Sequence, residues 1–169
     1  MHIQTQIFKS RFGEFILGSF DQQLCLLDFR YRKMRTAIDK RLQAGLKAKY
    51  IEQDNEVLAA TRKQLEEYFT GARANFSIPL LTVGSEFQKS VWQALLKIPY
   101  GETVSYLELA KSIDKPSAVR AVASANGANA IGIMIPCHRI IGSNGKLVGY
   151  AGGLQTKEKL LRLEQPRLI

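Results

Sequence analysis

The sequence predicts a protein of two parts, an α/β N-terminal half and a mostly helical C-terminal half that contains a helix-turn-helix. Short runs rich in β-branched and aromatic residues, separated by turn residues, fill the first 30 positions. Residues 71–84 lack helical periodicity and hold Gly and Pro, which is typical of a linker. Beyond them, apolar residues recur at helical spacing between capping and breaking residues. We therefore assign residues 1–84 to an N-terminal domain that includes the linker, and residues 85–169 to a C-terminal domain.

The N-terminal half begins with three strand-like runs, IQTQIF (3–8), EFILGSF (14–20) and QLCLLDF (23–29). Their order and short turns predict a three-stranded antiparallel sheet. Cys25 lies between leucines in the third run, and we interpret it as a buried small hydrophobe. Residues 54–70 carry apolar side chains near helical spacing and predict a helix that ends at Gly71.

A strongly basic run separates the strands from this helix. Residues 30–49 hold eight Lys and Arg against one acid, Asp39. Two interpretations stay open: the run can contact phosphate, or it can form a solvated helix face or loop, which is the commoner case.

The C-terminal half predicts three helices in succession. Ser85 can cap the first, which Pro99 and Gly101 end, and Ser105 starts a short second one. Pro116 is expected to open the third, which ends at Gly127. Two short helices joined by a tight turn indicate a helix-turn-helix, with the third helix as the DNA reader.

The remainder of the C-terminal half predicts a small strand element and a closing helix. The runs IMI (133–135) and RII (139–141), followed by the turn SNGK (143–146), suggest a short hairpin or wing. A last helix is expected over residues 155–164.

Composition excludes several classes of protein. The 169 residues carry a net charge of +9 with 46% hydrophobic residues, unlike disordered or collagen-like chains. Two cysteines cannot form a disulfide scaffold or an all-cysteine zinc site. The N-terminus lacks the apolar core of a signal peptide, and no run approaches the roughly 18 apolar residues of a membrane span. We expect a cytoplasmic monomer without membrane contact, and the positive charge favours a polyanion such as nucleic acid as partner.

The pentapeptide Pro136-Cys137-His138-Arg139-Ile140 carries the clearest chemical signal. A thiol with an ordinary pKa of about 8.5 needs a base to become a nucleophile, and an adjacent imidazole can supply one. A carboxylate on the far side of the imidazole would fix its tautomer. Neighbouring residues of a strand point to opposite faces, so His138 reaches Cys137 only in a turn or through water. A buried cysteine beside an incidental histidine is an equally plain interpretation of the spacing alone.

Two longer stretches extend this motif to a recognisable pattern. The run IPCHRI, followed by GYAGGLQTKEKLL, resembles the active-site region of the O6-alkylguanine-DNA alkyltransferases, also called methylated-DNA–protein-cysteine methyltransferases. The upstream run FQKSVWQALLKIPYGETVSYLELA is similar to the helix-turn-helix entry of the same family. The resemblance covers nearly all of residues 85–164 and implies a ribonuclease-H-like N-terminal domain and a winged-helix-like C-terminal domain.

The resemblance also implies a reaction and its catalytic residues. Cys137 resembles the thiol that accepts the alkyl group from O6 of guanine in double-stranded DNA, irreversibly and once per molecule, with O4-alkylthymine as a further possible substrate. His138 resembles the base that acts through a water, and Glu164 its carboxylate partner. Tyr106 is similar to the residue that donates a proton to the purine N3, and Asn129 to a hinge asparagine. No cofactor is implied.

DNA and substrate contacts follow from the same resemblance. The alkylated base must leave the duplex, and Arg120 resembles the arginine that fills the vacated stack. Ala121 and its small neighbours would let the third helix approach the minor groove. Lys115 and Ser143 resemble phosphate contacts. The residues similar to the lining of the alkylguanine pocket are Met134, Tyr150 and Ala151.

The sequence departs from the family pattern at two positions, and three other functions can be weighed against alkyl transfer. Ala151 replaces a serine of some relatives, and Leu107 stands where some carry a polar residue. Only His2 and Cys25 could contribute to the zinc site that some relatives have, so we predict no metal. A non-catalytic damage sensor would lack the cysteine, a Cys-His hydrolase would not need the helix-turn-helix, and a transcription factor would not need PCHRI.

Overall fold

The computed structural model describes residues 1–166, which form two compact units. The N-terminal unit is Met1–Gly84, and the C-terminal unit begins at Ser85. Within residues 1–166, no helix is both long and apolar enough to cross a membrane.

The N-terminal unit is built on a mixed four-stranded sheet. Its elements are β1 (Ile3–Ser10), β2 (Gly13–Phe20), β3 (Gln23–Phe29), α1 (Arg35–Leu46), β4 (Tyr50–Glu52) and α2 (Glu56–Phe69). The strand order is β3-β2-β1-β4, with the first three strands antiparallel as expected. The expected number of three strands is wrong by one. β4 pairs in parallel with β1, from Ile3↔Tyr50 to Thr5↔Glu52, and its three residues are too few to show a period-two pattern.

The core of this unit lies between the sheet and its helices. α2 packs against β1, β2 and β3 and buries Leu58, Leu65 and Tyr68. Residues 24–28 of β3 are all buried, so both faces of this strand are covered. Cys25 is 1% exposed, and burial raises its pKa to about 12, as expected for a packing residue.

The segment expected to be a linker is partly fixed to the sheet. Leu24 N donates to Pro79 O at 2.8 Å, and Leu81 N donates to Leu24 O at 2.8 Å. These bonds cover the outer edge of β3, where unpaired N–H and C=O groups would otherwise be exposed.

The C-terminal unit consists of α3 (Glu86–Leu96), β5 (Val104–Ser105), α4 (Tyr106–Ser112), α5 (Val119–Gly127), a 3-10 turn (Cys137–Arg139), β6 (Ile140–Ile141) and α6 (Leu154–Glu164). Capping boxes start α3 and α4. Ser85 pairs with Gln88, and Ser105 pairs with Glu108. α3, α4 and α5 pack together, and Trp92 Nε1 donates to Ala125 O at 2.9 Å.

Two local predictions for this unit are wrong. α5 begins at Val119 rather than at Pro116, which instead occupies a turn closed by the Ala118 N to Lys115 O bond of 2.9 Å. Proline favours that second turn position. The expected hairpin between residues 133–135 and 139–141 does not form. Tight turns bend the chain before Cys137, so residues 133–135 are not extended. β6 pairs in parallel with β5 instead.

Candidate active site

Cys137 sits at the end of a tightly turned segment. Two three-residue turns precede it, centred on Ile133 with φ 68° and on Pro136 with φ −80° and ψ 63°. Met134 N donates to Gly132 O at 2.7 Å in the first turn, and Cys137 N donates to Ile135 O at 2.8 Å in the second. A positive φ at a β-branched residue is strained by about 1–3 kcal/mol, and such strain persists only where the surroundings enforce it.

Asn129 supplies that enforcement. Its buried side chain donates from Nδ2 to Ile135 O at 2.9 Å and accepts from Ile131 N at 3.0 Å. Both ends of the turned segment are thereby tied to one amide. The role of Asn129 as a hinge asparagine stays a prediction.

His138 faces a buried carboxylate from the last helix. Its Nε2 lies 2.7 Å from Glu164 Oε2, and the two side chains are 0% exposed. Arg139 binds the same carboxylate with two nitrogens, Nε at 2.8 Å and Nη2 at 3.0 Å, and donates from Nη1 to Ile98 O at 2.6 Å. Gly101 N adds a longer bond of 3.3 Å. Residues 26 positions apart in the sequence thus form one buried network.

The environment sets the charges of this network. Burial lowers the pKa of His138, although Glu164 opposes the shift, so the ring is neutral at pH 7. Burial would raise the pKa of Glu164, but hydrogen bonds and charges from His138 and Arg139 prevail and lower it to about 2. An ionised carboxylate therefore orients a neutral imidazole beside the cysteine.

Tyr106 belongs to the same site. It is the first residue of α4, and burial raises the pKa of its phenol. A hydrogen bond with the buried Asn126 opposes the shift, and a thiolate at Cys137 would add to it. The phenol therefore stays protonated at neutral pH and lies within electrostatic range of the cysteine.

Lys157 is a site residue that the sequence did not single out. It is 0% exposed on α6 and donates from Nζ to Val148 O at 2.6 Å and to Gly149 O at 3.3 Å. Burial lowers its pKa to about 8, while a thiolate at Cys137 would raise it. The ammonium group therefore holds the segment before α6 and places a positive charge near the thiol.

Of the three residues expected to line the substrate pocket, Tyr150 contacts this network. Met134 is 5% exposed and stands three positions before Cys137. The ring of Tyr150 meets that of His138 edge-on, with centroids 6.4 Å apart. Ala151 follows it in the same half-buried stretch.

One side of α5 is open to solvent. Its exposed residues are Arg120, Ala121, Ser124 and Gly127, and its buried residues are Val122, Ala125 and Asn126. Apart from the arginine, the open side carries small groups or none, so the helix backbone can approach a ligand closely. Lys115 and Ser143 are also exposed.

Comparison with known proteins identifies the family. Residues 3–82 match the ribonuclease-like domain of the 6-O-methylguanine DNA methyltransferases, and residues 86–166 match their DNA-binding domain. A methylated-DNA–protein-cysteine methyltransferase of Methanosarcina barkeri is 48% identical over 162 residues, covering 96% of this chain and 97% of that protein. The chain belongs to the methylated-DNA–protein-cysteine methyltransferase family.

Further relatives agree with this assignment. A methylated-DNA–protein-cysteine methyltransferase of Mycobacterium leprae is 50% identical over 116 residues, covering 69% of this chain and 70% of that protein. The crystal structure of Mycobacterium tuberculosis OGT in complex with DNA aligns with a TM-score of 0.83 and 39% identity, covering 99% of this chain and 94% of that one. The two-domain fold expected from the sequence is confirmed.

In this methyltransferase, Arg139 is the second functional residue that sequence reasoning missed. It was visible in the motif PCHRI, but adjacency to His138 does not reveal that both side chains bind one carboxylate. A signal existed nonetheless, because a buried acid beside a neutral histidine needs a cation to stay ionised.

Proposed function

We propose that this methyltransferase repairs DNA by direct reversal, with Cys137 as the acceptor of the alkyl group from O6 of guanine. The sulfur attacks the alkyl carbon, so that a C–S bond forms while the C–O6 bond breaks. The proton that leaves the thiol replaces the alkyl group on the guanine. The thioether product has no route back to a thiol, so each molecule acts once. One observation carries the proposal. His138, which directly follows a cysteine held on a strained turn, forms a buried pair with Glu164.

His138 is the proposed base. When its Nε2 carries the hydrogen shared with Glu164, Nδ1 is the basic nitrogen of the neutral ring. A water between Nδ1 and the sulfur passes the thiol proton to the ring. The ionised Glu164 then stabilises the imidazolium.

Two further groups stabilise charge during the transfer. The Lys157 ammonium favours the Cys137 thiolate electrostatically. The phenol of Tyr106, protonated at neutral pH, donates a hydrogen bond to N3 of the departing purine, where negative charge develops. Asn129 acts indirectly, since it fixes the backbone on which the thiol sits.

DNA binding is assigned to the open side of α5 in the minor groove. Small residues there, including Ala121, allow close approach, and Arg120 fills the stack left by the rotated base. Lys115 and Ser143 bind phosphates. Contacts to phosphates rather than to base edges suit a protein that must find damage in any sequence.

The alkylated base is expected to lie against Met134, Tyr150 and Ala151. A methyl group at position 151 offers no hydroxyl to O6 and leaves room for a larger alkyl group. O4-alkylthymine presents the same O–alkyl bond and is the natural second substrate to assay.

One chain is sufficient for the whole reaction. Every residue assigned to it lies in the C-terminal unit, which supports action as a monomer. A reactive thiol also requires a reducing compartment, so we place the protein in the cytoplasm.

The two cysteines provide a matched test of the acceptor. Wild type, C137A and C25A are incubated with a duplex that contains one O6-methylguanine, and methyl uptake is read by intact mass. Wild type and C25A should gain one methyl group, and C137A none while still binding the duplex. Methyl uptake by C137A would overturn the proposal.

A further inference from the structure

The basic run between β3 and β4 folds into a charged surface that alkyl transfer does not use. Residues 30–49 carry eight cations against one acid, whereas the other residues of the N-terminal unit carry five cations against eight acids. The unit is therefore strongly polarised, because its net positive charge lies in α1 and the residues beside it.

Many of the arginines in this run are already engaged within the unit. Arg32 and Arg35 pair with the buried Asp28 at 3.3 and 2.6 Å, and Arg30 pairs with Glu14 at 3.1 Å. The acid of the run, Asp39, is held by Arg35 at 2.9 Å. The lysines have no such partner: within residues 1–166, no carboxylate lies within ion-pair distance of Lys33, Lys40 or Lys47.

These three lysines are distributed along α1, one within it and one beyond each end. Lys40 lies within α1, Lys33 lies two residues before its first residue, and Lys47 directly follows its last, so the three are spread along the helix length of about 18 Å, and all three are exposed. The other exposed residues of α1 are Thr36, Ala37, Ala44 and Gly45. These residues are small, so they do not obstruct a ligand that approaches the lysines. Ile38 and Leu42 are buried on the opposite face of α1. We call Lys33, Lys40 and Lys47 the lysine stripe.

We propose that the lysine stripe binds the phosphate backbone of DNA, as a contact in addition to that of the C-terminal unit. Charge complementarity favours this partner, because about 18 Å of duplex axis presents roughly five phosphates on each strand. Each lysine can therefore face a phosphate of its own. Two large side chains lie at one end of the stripe, Tyr31 at 75% exposure and Met34 at 45%. Their exposed apolar surface can contact the sugars of the DNA backbone. The contact goes beyond the proposed repair reaction and does not depend on it.

The salt dependence of binding tests the stripe. The affinity of the full chain for an undamaged duplex is measured by fluorescence anisotropy over a range of salt concentrations, for wild type and for K33Q/K40Q/K47Q. The control K9Q/K63Q/R73Q removes three cations from the same unit, so both variants have the same net charge. The stripe variant should lower the slope of log affinity against log salt by about 2 to 3, since each phosphate contact contributes about 0.9. The control should keep the wild-type slope.

Two further measurements keep the result clear. Reaction with free O6-benzylguanine should be the same in all three proteins, which shows intact folding and separates this proposal from that of alkyl transfer. In the wild type, bound duplex should protect the three stripe lysines, but not Lys63, from acetylation. Equal slopes for the two variants, or no protection of the stripe, would overturn the proposal.

Discussion

Replacing Glu164 with glutamine removes one charge and almost no volume. The carboxylate accepts four hydrogen bonds, from His138, twice from Arg139 and from Gly101. An amide can accept at only one of its two positions, and the buried Arg139 loses its counter-charge. Breaking a buried pair in this way costs about 3–5 kcal/mol. The lowering of the Glu164 pKa from 4.5 to about 2 corresponds to about 3 kcal/mol, in agreement.

The pH dependence of this stabilisation has a definite sign. Because the folded pKa lies below the unfolded one, the contribution is fully present above pH 4.5 and is lost as the pH falls towards 2. The difference in the free energy of unfolding between wild type and E164Q should therefore be about 3 kcal/mol at pH 7 and should shrink as the pH is lowered from 5 to 3. Urea unfolding at several pH values measures it.

The same variant tests the relay. Without a carboxylate to stabilise the imidazolium, alkyl transfer should slow by about 100-fold or more. Affinity for duplex should be unchanged, because the Glu164 side chain is fully buried. The control E158Q alters an exposed pair with Arg162 on the same helix and should cost less than about 0.5 kcal/mol. Wild-type rate and stability in E164Q, or equal slowing in E158Q, would refute the reasoning.

Three other substitutions test separate parts of the account. R120A should slow repair in duplex but not reaction with free O6-benzylguanine, and equal losses on both substrates would argue against a base-rotating role. In N129A the strained turn loses its buried hydrogen bonds, so the free energy of unfolding should fall by about 2–4 kcal/mol. The control N144A also removes a hydrogen bond to a backbone N–H, but at an exposed site, and its stability should match that of wild type. K157M tests the buried ammonium, whose pKa is about 8 in the folded chain and ordinarily 10.5. Between these two pH values only the unfolded chain keeps the proton, so the free energy of unfolding of wild type should rise relative to that of K157M as the pH increases. The total rise should be up to about 3 kcal/mol. Parallel stability profiles for the two proteins would contradict that assignment.

Local signals in the sequence predicted most of the fold. β-branched runs marked β1 to β3, and Ser85 and Ser105 marked helix starts that the structure confirms with capping boxes. β4 escaped because three residues carry no periodicity, and its pairing with β1 is a tertiary effect. The expected hairpin failed for a related reason: the runs at 133–135 and 139–141 look alike, but only Ile140 and Ile141 of the second are extended.

The site was predictable in part. Cys137 and His138 are adjacent and chemically conspicuous, whereas Glu164 looks in isolation like any acid on a terminal helix and was assigned by resemblance alone. Lys157 was overlooked because lysine is rarely buried, and nothing in its local sequence announces the two carbonyls that it binds. Long-range pairing of this kind depends on the fold, which places α6 beside the 3-10 turn.

The central claim is that Cys137 is consumed in a single transfer. The most direct measurement exposes the protein to a large excess of O6-methylguanine duplex, counts the repaired guanines, and maps the modified peptide by mass. We expect one repaired guanine and one methyl group per molecule, located on Cys137. Repair that continues beyond one guanine per molecule, or a methyl group on any other residue, would contradict it.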